Sequence, residues 1–419
     1  MTEPFATHEV FNQSPPLIDI NLYDSDEALR RAVASAGAQD HAAELSAFGA
    51  VAGSAEAAQW ARQANESPPV LATYDSKGYR CDRVDFHPAY HALMTTSFRH
   101  GVHLLEDHRA AHAVRAAKLY LAAQMEPGHC CPITMTNAAR PVLERAGAAG
   151  EAWLQKTRAH VYDPAFRPMP EKTSVTIGMG MTEKQGGSDV RANTTAAAPE
   201  GARGSGAAYR IRGHKWFMSA PMSDAFLVLA QAEGGLSSFL LPRFRPDGSI
   251  NALRFERLKP KLGNRSNASS EVEFHDAHAL LIGEEGEGTR VIIQMVTLTR
   301  LDCAASSAGF MRQALAHAIH HAEHRAAFQK KLVDQPAMQQ VLADMALDVE
   351  AAVALTFRLA KAFGGDDPRD LAWRRLMTPV VKYWVCKTAP PLAGEAMECL
   401  GGNGYVEDGV MARLYREAP

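Results

Sequence analysis

The composition of this chain changes twice along its length, and this change limits the fold more than any single motif does. From about residue 25 to 165, Ala, Leu, Arg and Glu dominate with helical spacing. Short runs rich in β-branched and aromatic residues follow, separated by turn clusters such as Pro-Asp-Gly. Beyond residue 288 the helical spacing returns, for example at Ala304, Ala308 and Met311. Strands that are segregated from helices in this way predict the α+β class.

The two changes divide the 419 residues into four expected parts. Residues 1–25 contain a Ser-Pro-Pro segment and no sustained periodicity, so we expect an extended arm that lies on the body or on a neighbouring subunit. Residues 26–170 are expected to form an α-helical domain that begins near an N-cap-like Asp26. We expect a middle β-domain over residues 171–283 and a second α-helical domain over residues 284–419.

The overall composition is typical of an ordinary globular protein, with 46% hydrophobic and 22% charged residues. A net charge of −3 provides no general attraction for nucleic acid. The six cysteines have neither the density of a disulfide scaffold nor C-x-x-C spacing, so we expect free thiols. The N-terminus lacks the features of a signal peptide, and no apolar run reaches the roughly 18 residues of a membrane span. We therefore expect a soluble, cytoplasmic protein without a membrane segment.

The most informative local motif is the run Gly-Met-Thr-Glu-Lys-Gln-Gly-Gly-Ser-Asp-Val-Arg-Ala over residues 180–192. It follows a strand-like segment. Gly186 and Gly187 would allow backbone N–H groups to approach a pyrophosphate closely, while Thr182 and Ser188 offer hydroxyl donors. Most adjacent glycines are simple turns, so the local chemistry leaves both a cofactor loop and a plain turn open.

Two long motifs together indicate a family. Residues 180–192 resemble the first signature of the acyl-CoA dehydrogenase flavoproteins. The run Glu-Cys-Leu-Gly-Gly-Asn-Gly-Tyr-Val-Glu-Asp over residues 398–408, followed by Arg413 and Glu417, resembles the second. Because both signatures stand in the family order, the match is specific.

Two shorter motifs lie between these signatures. Residues 213–219 resemble the flavin-facing strand of the family, and residues 325–328 resemble its adenosine-side motif. The resemblance covers most of residues 80–419. It implies an N-terminal helical domain, a middle β-barrel domain, a C-terminal helical bundle and FAD as the cofactor.

The resemblance also implies which residues contact FAD. One set would line the flavin ring and its pyrophosphate: Met181, Thr182, Gly187, Ser188, Trp216, Phe217 and Ser219, the last at the position of a hydroxyl that donates toward flavin N5. A second set would reach a flavin held by a neighbouring subunit: Arg325, Phe328, Gly401 and Gly402. Sites shared in this way imply a homotetramer. The simpler alternatives are that Trp216, Phe217 and Met218 are strand core residues and that Arg325 is a surface charge.

Four segments resemble a narrower branch of the family. They are residues 7–16, 128–135, 181–190 and 261–268. These segments resemble the AidB branch, whose members are flavoproteins of the adaptive response to DNA alkylation. This likeness implies an FAD-binding protein of that response with weak or no acyl-CoA dehydrogenation. The alternatives are a dehydrogenase that oxidises a short or branched acyl-CoA at the α,β position, and a scaffold that has lost its flavin. Residues 261–268 could form the lip of a ligand site or a solvated loop.

The family's catalytic base has no counterpart in this chain. An acyl-CoA dehydrogenase needs a carboxylate to remove the α-proton of the substrate. In one branch that glutamate precedes an arginine in the long helix, where this chain has Thr299; in the other it lies beyond Pro419, the last residue. The catalytic residues are therefore unknown. We expect a truncated member, without the basic C-terminal domain through which the AidB branch binds duplex DNA, and with acyl-CoA as a further candidate partner.

A histidine group suggests a metal only weakly. His317, His320, His321 and His324 stand at helical spacing, and two histidines at i and i+4 can chelate an ion. No cysteine or H-E-x-x-H arrangement accompanies them. We therefore expect no metal and interpret these side chains as hydrogen-bonded histidines near a subunit interface.

Overall fold

The computed structural model describes residues 7–419, so the first six residues of the expected arm lie outside the described part. The helices are α1 Glu27–Ser35, α2 Ala42–Ala52, α3 Ala55–Glu66, α4 Pro88–Arg99, α5 Ala111–Met125, α6 Cys130–Ala138, α7 Arg140–Leu143, α8 Gly147–Thr157, α9 Gly288–His324, α10 Pro336–Phe363, α11 Pro368–Cys399, α12 Gly402–Tyr405 and α13 Met411–Glu417. The strands are β1 Val70–Tyr74, β2 Arg80–Asp85, β3 Ile177–Gly180, β4 Ala196–Pro199, β5 Ala208–Ser219, β6 Ala225–Ala232, β7 Gly235–Pro242, β8 Leu253–Leu258, β9 Ser269–Ile282, β10 Ala326–Ala327 and β11 Lys330–Lys331.

The first helix begins at Asp26, the residue that the sequence predicts as its N-cap. The Asp26 carboxylate accepts a hydrogen bond from the Leu29 backbone N–H. The same carboxylate accepts from the Tyr120 hydroxyl at 2.6 Å and lies 3.3 Å from the Arg312 guanidinium. One buried side chain therefore starts α1 and joins it to α5 and α9.

A two-stranded hairpin interrupts the first helical region, where the sequence predicts only helices. Strands β1 and β2 pair antiparallel, and Asp75 closes the turn between them by accepting from the backbone N–H groups of Lys77 and Tyr79. Val84 of β2 packs into the core of the middle sheet. The Arg243 guanidinium donates to the carbonyl of Cys81 at 2.8 Å. The hairpin thus joins the β-domain through contacts that are distant in sequence, which the local pattern does not contain.

The middle sheet closes on itself. Its strand order is β3-β5-β4-β6-β7-β9-β8, and additional pairings join β3 to β6 and β5 to β9. Following the pairs from β5 through β4, β6, β7 and β9 leads back to β5, as in a barrel. Closure leaves few unpaired edges and encloses a core that includes Tyr209, Phe226 and Phe239. The expected middle β-barrel is confirmed.

The long helix α9 organises the second helical region. It packs against α5, α10 and α11. Arg115 of α5 and Asp302 of α9 form a bidentate pair at 2.6 and 2.8 Å, and both side chains are buried. The expected α, β, α order with a C-terminal helical bundle is therefore present. All six cysteines are free, as predicted.

The described part of the N-terminal arm lies across the end of α9. Asn12 pairs with the backbone of Ala326, accepting from its N–H at 2.7 Å and donating to its carbonyl at 2.8 Å. Ser14 bonds His321 at 2.7 Å, and the Pro15 carbonyl lies 2.8 Å from His320 Nε2. The arm therefore contacts the protein's own body next to the hairpin β10–β11.

Among residues 7–419, no helix is both long enough and apolar enough to cross a membrane.

Three shielded histidines predict a loss of stability in mild acid. Burial lowers the pKa of His103 to about 3 and the pKa values of His112 and His317 to about 4, from an ordinary 6.5. In mild acid the unfolded chain binds protons at these histidines and the folded chain does not. The contribution of the neutral histidines to the free energy of unfolding is therefore complete above pH 6.5 and is lost as the pH falls from 6.5 toward 4 and below. Each histidine contributes a slope of up to about 1.4 kcal/mol per pH unit. Urea unfolding measured from about pH 7 to pH 5 tests this.

The control for this experiment is the exposed His8. Replacing His103 by Asn should flatten the dependence of unfolding free energy on pH, whereas His8→Ala should leave it unchanged. Equal slopes for wild type and His103→Asn would show that burial does not hold this histidine neutral.

Candidate functional site

The loop over residues 180–192 and the strand over residues 213–219 meet at the end of β3. Strand β3 pairs with β5 so that Met179 lies opposite Ser219 and Gly180 opposite Met218. The Trp216 backbone N–H donates to the Thr182 carbonyl at 2.8 Å. Two motifs that are separated by 20 residues in the sequence therefore form one continuous surface.

A buried ion pair holds the loop on this surface. Glu183 and Lys215 are both buried, and the Lys215 ammonium donates to Glu183 at 2.7 Å. Glu183 also accepts from the backbone N–H groups of Thr194 and Thr195 at 2.7 and 3.2 Å. Burial alone would raise the pKa of Glu183, but these hydrogen bonds outweigh it and lower the pKa to about 2. Nothing in the local sequence pattern marks these two residues as a pair.

Gly187 leaves room for the loop to fold against Thr182. A Cβ atom at Gly187 would lie 2.7 Å from Thr182 Oγ1, closer than any ordinary contact, so no larger residue fits without displacing Thr182. Met181 and Thr182 are half-buried, while Gly187 and Ser188 are exposed. The loop therefore presents backbone N–H groups and hydroxyls on an open surface, as a phosphate-binding loop requires.

Strand β5 divides its side chains between core and surface. Met218 is fully buried in the sheet core, whereas 43% of Phe217 is exposed. Trp216 is half-buried, with the Lys259 ammonium 3.6 Å from its ring centroid. The interpretation as core residues thus holds for Met218 but not for Phe217, which offers an apolar wall to a ligand.

Ser219 lies in a polar cluster. Its hydroxyl is 2.9 Å from the hydroxyl of Ser269. The Lys261 ammonium lies 3.3 Å from Ser269 Oγ and donates to the Asn267 carbonyl at 2.7 Å. Burial lowers the pKa of Lys261 to about 8. Residues 261–268 are solvated only in part, because Leu262 and Arg265 are exposed whereas Ser266, Asn267 and Ala268 are buried.

A buried Ser-His-Glu chain lies behind this cluster. Ser97 Oγ is 2.8 Å from His129 Nε2, and His129 Nδ1 is 3.2 Å from Glu126. The order resembles a hydrolase triad, but all three side chains are fully buried and Ser97 cannot meet a substrate. Burial would raise the pKa of Glu126, but the contacts with His129 lower it to about 2. These three hydrogen-bonded side chains therefore have a structural role.

The second predicted set lies just after α9 and at the start of α12. Arg325 ends α9 and donates to the Asn12 carbonyl at 2.7 Å, while Phe328 is 94% exposed at a positive φ of 51°. Gly401 and Gly402 are exposed at the start of α12. Within residues 7–419, no hydrogen bond joins this set to the first. Gln335 precedes α10, and its side chain donates to the Ala327 carbonyl at 3.2 Å and so supports the hairpin β10–β11.

The helix α9 carries no carboxylate at the expected position of the base. Thr299 is half-buried, and its hydroxyl donates to the Val296 carbonyl of the same helix at 3.0 Å. Farther along the chain, burial raises the pKa of Glu417 to about 8. That carboxyl lies near the Asn264 backbone N–H and faces Arg413 and Glu126.

The histidine group forms hydrogen bonds and also one cluster of ligand atoms. His321 and His320 contact the arm, and His324 Nδ1 lies 2.8 Å from the His320 carbonyl. His320, Glu323 and His324 each place one ligand atom within 4.8 Å of the others. His317 and His321 are not part of that cluster.

The ion pair that holds the loop yields a test by mutation. Glu183→Gln would leave the Lys215 ammonium buried without its counter-charge, so we expect the free energy of unfolding to fall by about 3–5 kcal/mol. Chemical denaturation measures this loss. The control is Glu233→Gln, which removes an exposed partner of Arg203 in the same domain and should change the value by less than about 1 kcal/mol. Equal losses in the two variants would contradict the assigned role of Glu183.

Family models match most of the chain. The N-terminal domain of the adaptive response protein AidB matches residues 12–164. The middle domain of acyl-CoA dehydrogenases matches residues 178–277, and their C-terminal domain matches residues 286–419.

Individual relatives agree with these models. AidB of Escherichia coli is 50% identical over 99% of this chain and 77% of its own length. Acyl-CoA dehydrogenase family member 11 of Caenorhabditis elegans is 32% identical over 97% of this chain and 69% of its own length.

Solved structures show the same fold. The apo form of Bd2924 superimposes with a TM-score of 0.89 at 30% identity, covering 98% of this chain and 84% of its own. The C. elegans protein, solved in complex with C11-CoA, has a TM-score of 0.89 at 29% identity, covering 99% and 73%. Acyl-CoA dehydrogenases bind FAD, and a glutaryl-CoA dehydrogenase of this fold from Mycobacterium smegmatis has been solved with FADH2 (TM-score 0.64, 16% identity). This chain belongs to the acyl-CoA dehydrogenase family and, within it, to the AidB branch.

Proposed function

We propose that this protein binds FAD on the surface formed by the residue 180–192 loop and β5, and that it serves the response to DNA alkylation with little or no acyl-CoA dehydrogenation. The observation that carries the FAD assignment is the arrangement at Thr182. A loop that only glycine can close there stands next to the exposed ring of Phe217. Phosphate-binding backbone and an apolar wall on one surface suit the two ends of a flavin nucleotide.

The residues present fit the cofactor. Thr182, Gly187 and Ser188 would hold the pyrophosphate, with Met181 beside them. Trp216 and Phe217 would shield the flavin ring from water, and Ser219 would donate a hydrogen bond to it. When bound, FAD supplies an acceptor for two electrons.

We further propose a homotetramer in which Arg325, Phe328, Gly401 and Gly402 contact the flavin of a neighbouring subunit. An aromatic ring that is 94% exposed, as Phe328 is, suits burial against a second chain. Large apolar side chains are also exposed on α10 and α11: Leu347, Leu371, Leu376, Val380 and Tyr383.

The proposal of weak dehydrogenation rests on Thr299. A threonine hydroxyl cannot accept the α-proton of a thioester, and this one is already bonded to Val296. The alternative is a dehydrogenase of short or branched acyl-CoA.

Anaerobic mixing with acyl-CoA thioesters separates the two functions. We expect FAD-loaded protein to keep its visible flavin absorbance for many minutes with short, branched and medium-chain acyl-CoAs. The reason is that the expected position of the base in α9 holds Thr299, which cannot remove the α-proton as a carboxylate would. A known acyl-CoA dehydrogenase serves as the positive control. Bleaching within seconds by any member of the panel would support the alternative and overturn our proposal.

A serine pair tests the assigned FAD surface. Ser188→Ala should weaken FAD binding by about 1 kcal/mol, a value typical of one lost hydrogen bond, and by more if its partner is charged. Ser205→Ala is the matched control, since Ser205 is exposed in the turn that precedes β5. FAD affinities are measured by titration of the apoprotein. Equal affinities for the two variants would remove Ser188 from the site.

We also propose that residues 1–419 alone bind duplex DNA only weakly. Nonspecific affinity comes from counterions released by many Lys and Arg contacts, and the chain has a net charge of −3. Tight binding that weakens steeply in a salt titration would contradict this.

A further inference from the structure

Two segments that distinguish this branch meet around Glu126. Glu126 Oε1 accepts from the Gly128 N–H at 2.9 Å and from the Ser266 hydroxyl at 2.8 Å. A Cβ atom at Gly128 would lie only 1.9 Å from Ser266 Oγ, so the close approach requires glycine. The segments 128–135 and 261–268, which resemble the AidB branch, are therefore bonded to the same carboxylate. This contact fixes the position of the loop that carries residue 261.

These contacts place the Lys261 ammonium close to strand β5. Lys261 Nζ is 3.3 Å from Ser269 Oγ, and Ser269 Oγ is 2.9 Å from Ser219 Oγ. The ammonium and the two hydroxyls form a hydrogen-bonded chain. This chain ends at Ser219, which follows Phe217 and Met218 in β5. Ser269 is buried, so water does not compete for this chain at its middle.

The charge of Lys261 decides the direction of the hydrogen bonds. An ammonium can only donate, so Ser269 accepts from Lys261. Among the described residues the Ser269 hydroxyl has no hydrogen-bond acceptor other than Ser219, so its own proton goes to Ser219. Ser219, having accepted, keeps its proton free to donate outward. The Cys131 thiol lies beside Ser219, but sulfur is a weak acceptor that a stronger one displaces.

We propose that Lys261 is a positioning residue for the cofactor: through Ser269 it holds the Ser219 hydroxyl as a hydrogen-bond donor toward the flavin and so raises the flavin's electron affinity. The inference rests on the proposed function, because it places a flavin next to Ser219. A donor and a nearby cation both favour the electron-rich reduced ring over the oxidised one.

The surroundings keep Lys261 charged at neutral pH. The Glu417 carboxyl on α13 and the Cys131 thiol on α6 also face Lys261, but burial raises the pKa of each, so both are protonated and uncharged at neutral pH. The ionised Glu126, which follows α5, and the Asn267 carbonyl, which accepts from the ammonium, both favour the charged form of Lys261. Burial opposes them and lowers the pKa of Lys261 to about 8, still above neutrality. The proton that directs the chain is therefore present under physiological conditions.

The experiment compares flavin midpoint potentials in FAD-loaded variants. Ser269→Ala breaks the chain and leaves Lys261 in place, while Lys261→Met removes its source. Ser270→Ala is the matched control, because this neighbouring buried hydroxyl donates to the Met218 carbonyl instead. We expect the first two variants to lose about tenfold in relative affinity for reduced over oxidised flavin, which is about 30 mV for a two-electron couple. Ser270→Ala should keep the wild-type potential.

The double variant distinguishes a chain from two independent effects. If Lys261 acts through Ser269, combining Lys261→Met with Ser269→Ala should lower the potential little more than either change alone. Wild-type potentials in FAD-loaded Lys261→Met and Ser269→Ala, even with lowered thermal stability, would leave Lys261 a purely structural role and overturn this inference alone. Wild-type protein that takes up no FAD would overturn the proposed function and this inference together. Should Lys261→Met fail to fold, the contrast between Ser269→Ala and Ser270→Ala decides.

Discussion

The buried pair of Glu183 and Lys215 is the interaction on which the candidate site depends. A lone charge at either position would be costly in the interior, so the two side chains hold each other and, through them, the loop and β5. The backbone N–H groups of Thr194 and Thr195 complete the coordination of the carboxylate. Because the loop is anchored by charge rather than by apolar packing, its exposed tip at Ser188 can remain polar.

Much of the architecture follows from the sequence because its signals are local. The switch from helical to strand-like composition is readable within short windows, and so is the N-cap at Asp26. The sequence does not predict the hairpin β1–β2, because its strands are short, lie among helices and owe their position to Val84 packing into a distant sheet. Contacts of that kind are not recorded in periodicity.

The candidate site divides along the same line. The motif containing Gly187 could be identified from its glycines, and the structure supplies the reason, the contact with Thr182. The approach of Lys261 to Ser219 could not be predicted, because it depends on Glu126 and Gly128 in another part of the chain. The pattern of residues 261–268 showed polarity, but polarity alone does not separate a solvated loop from a buried network.

The docking of the arm has a consequence for assembly. The Asn12 side chain bonds both the N–H and the carbonyl of Ala326, and the Arg325 guanidinium donates to the Asn12 carbonyl. The arm and the hairpin that carries Phe328 are therefore energetically coupled. Coupling of this kind is reciprocal. A partner that binds to Phe328 will strengthen the contacts of the arm, and release of the arm will weaken binding at Phe328. The cleavage rate of the N-terminal segment by a protease thus becomes a reporter of events at the far end of α9.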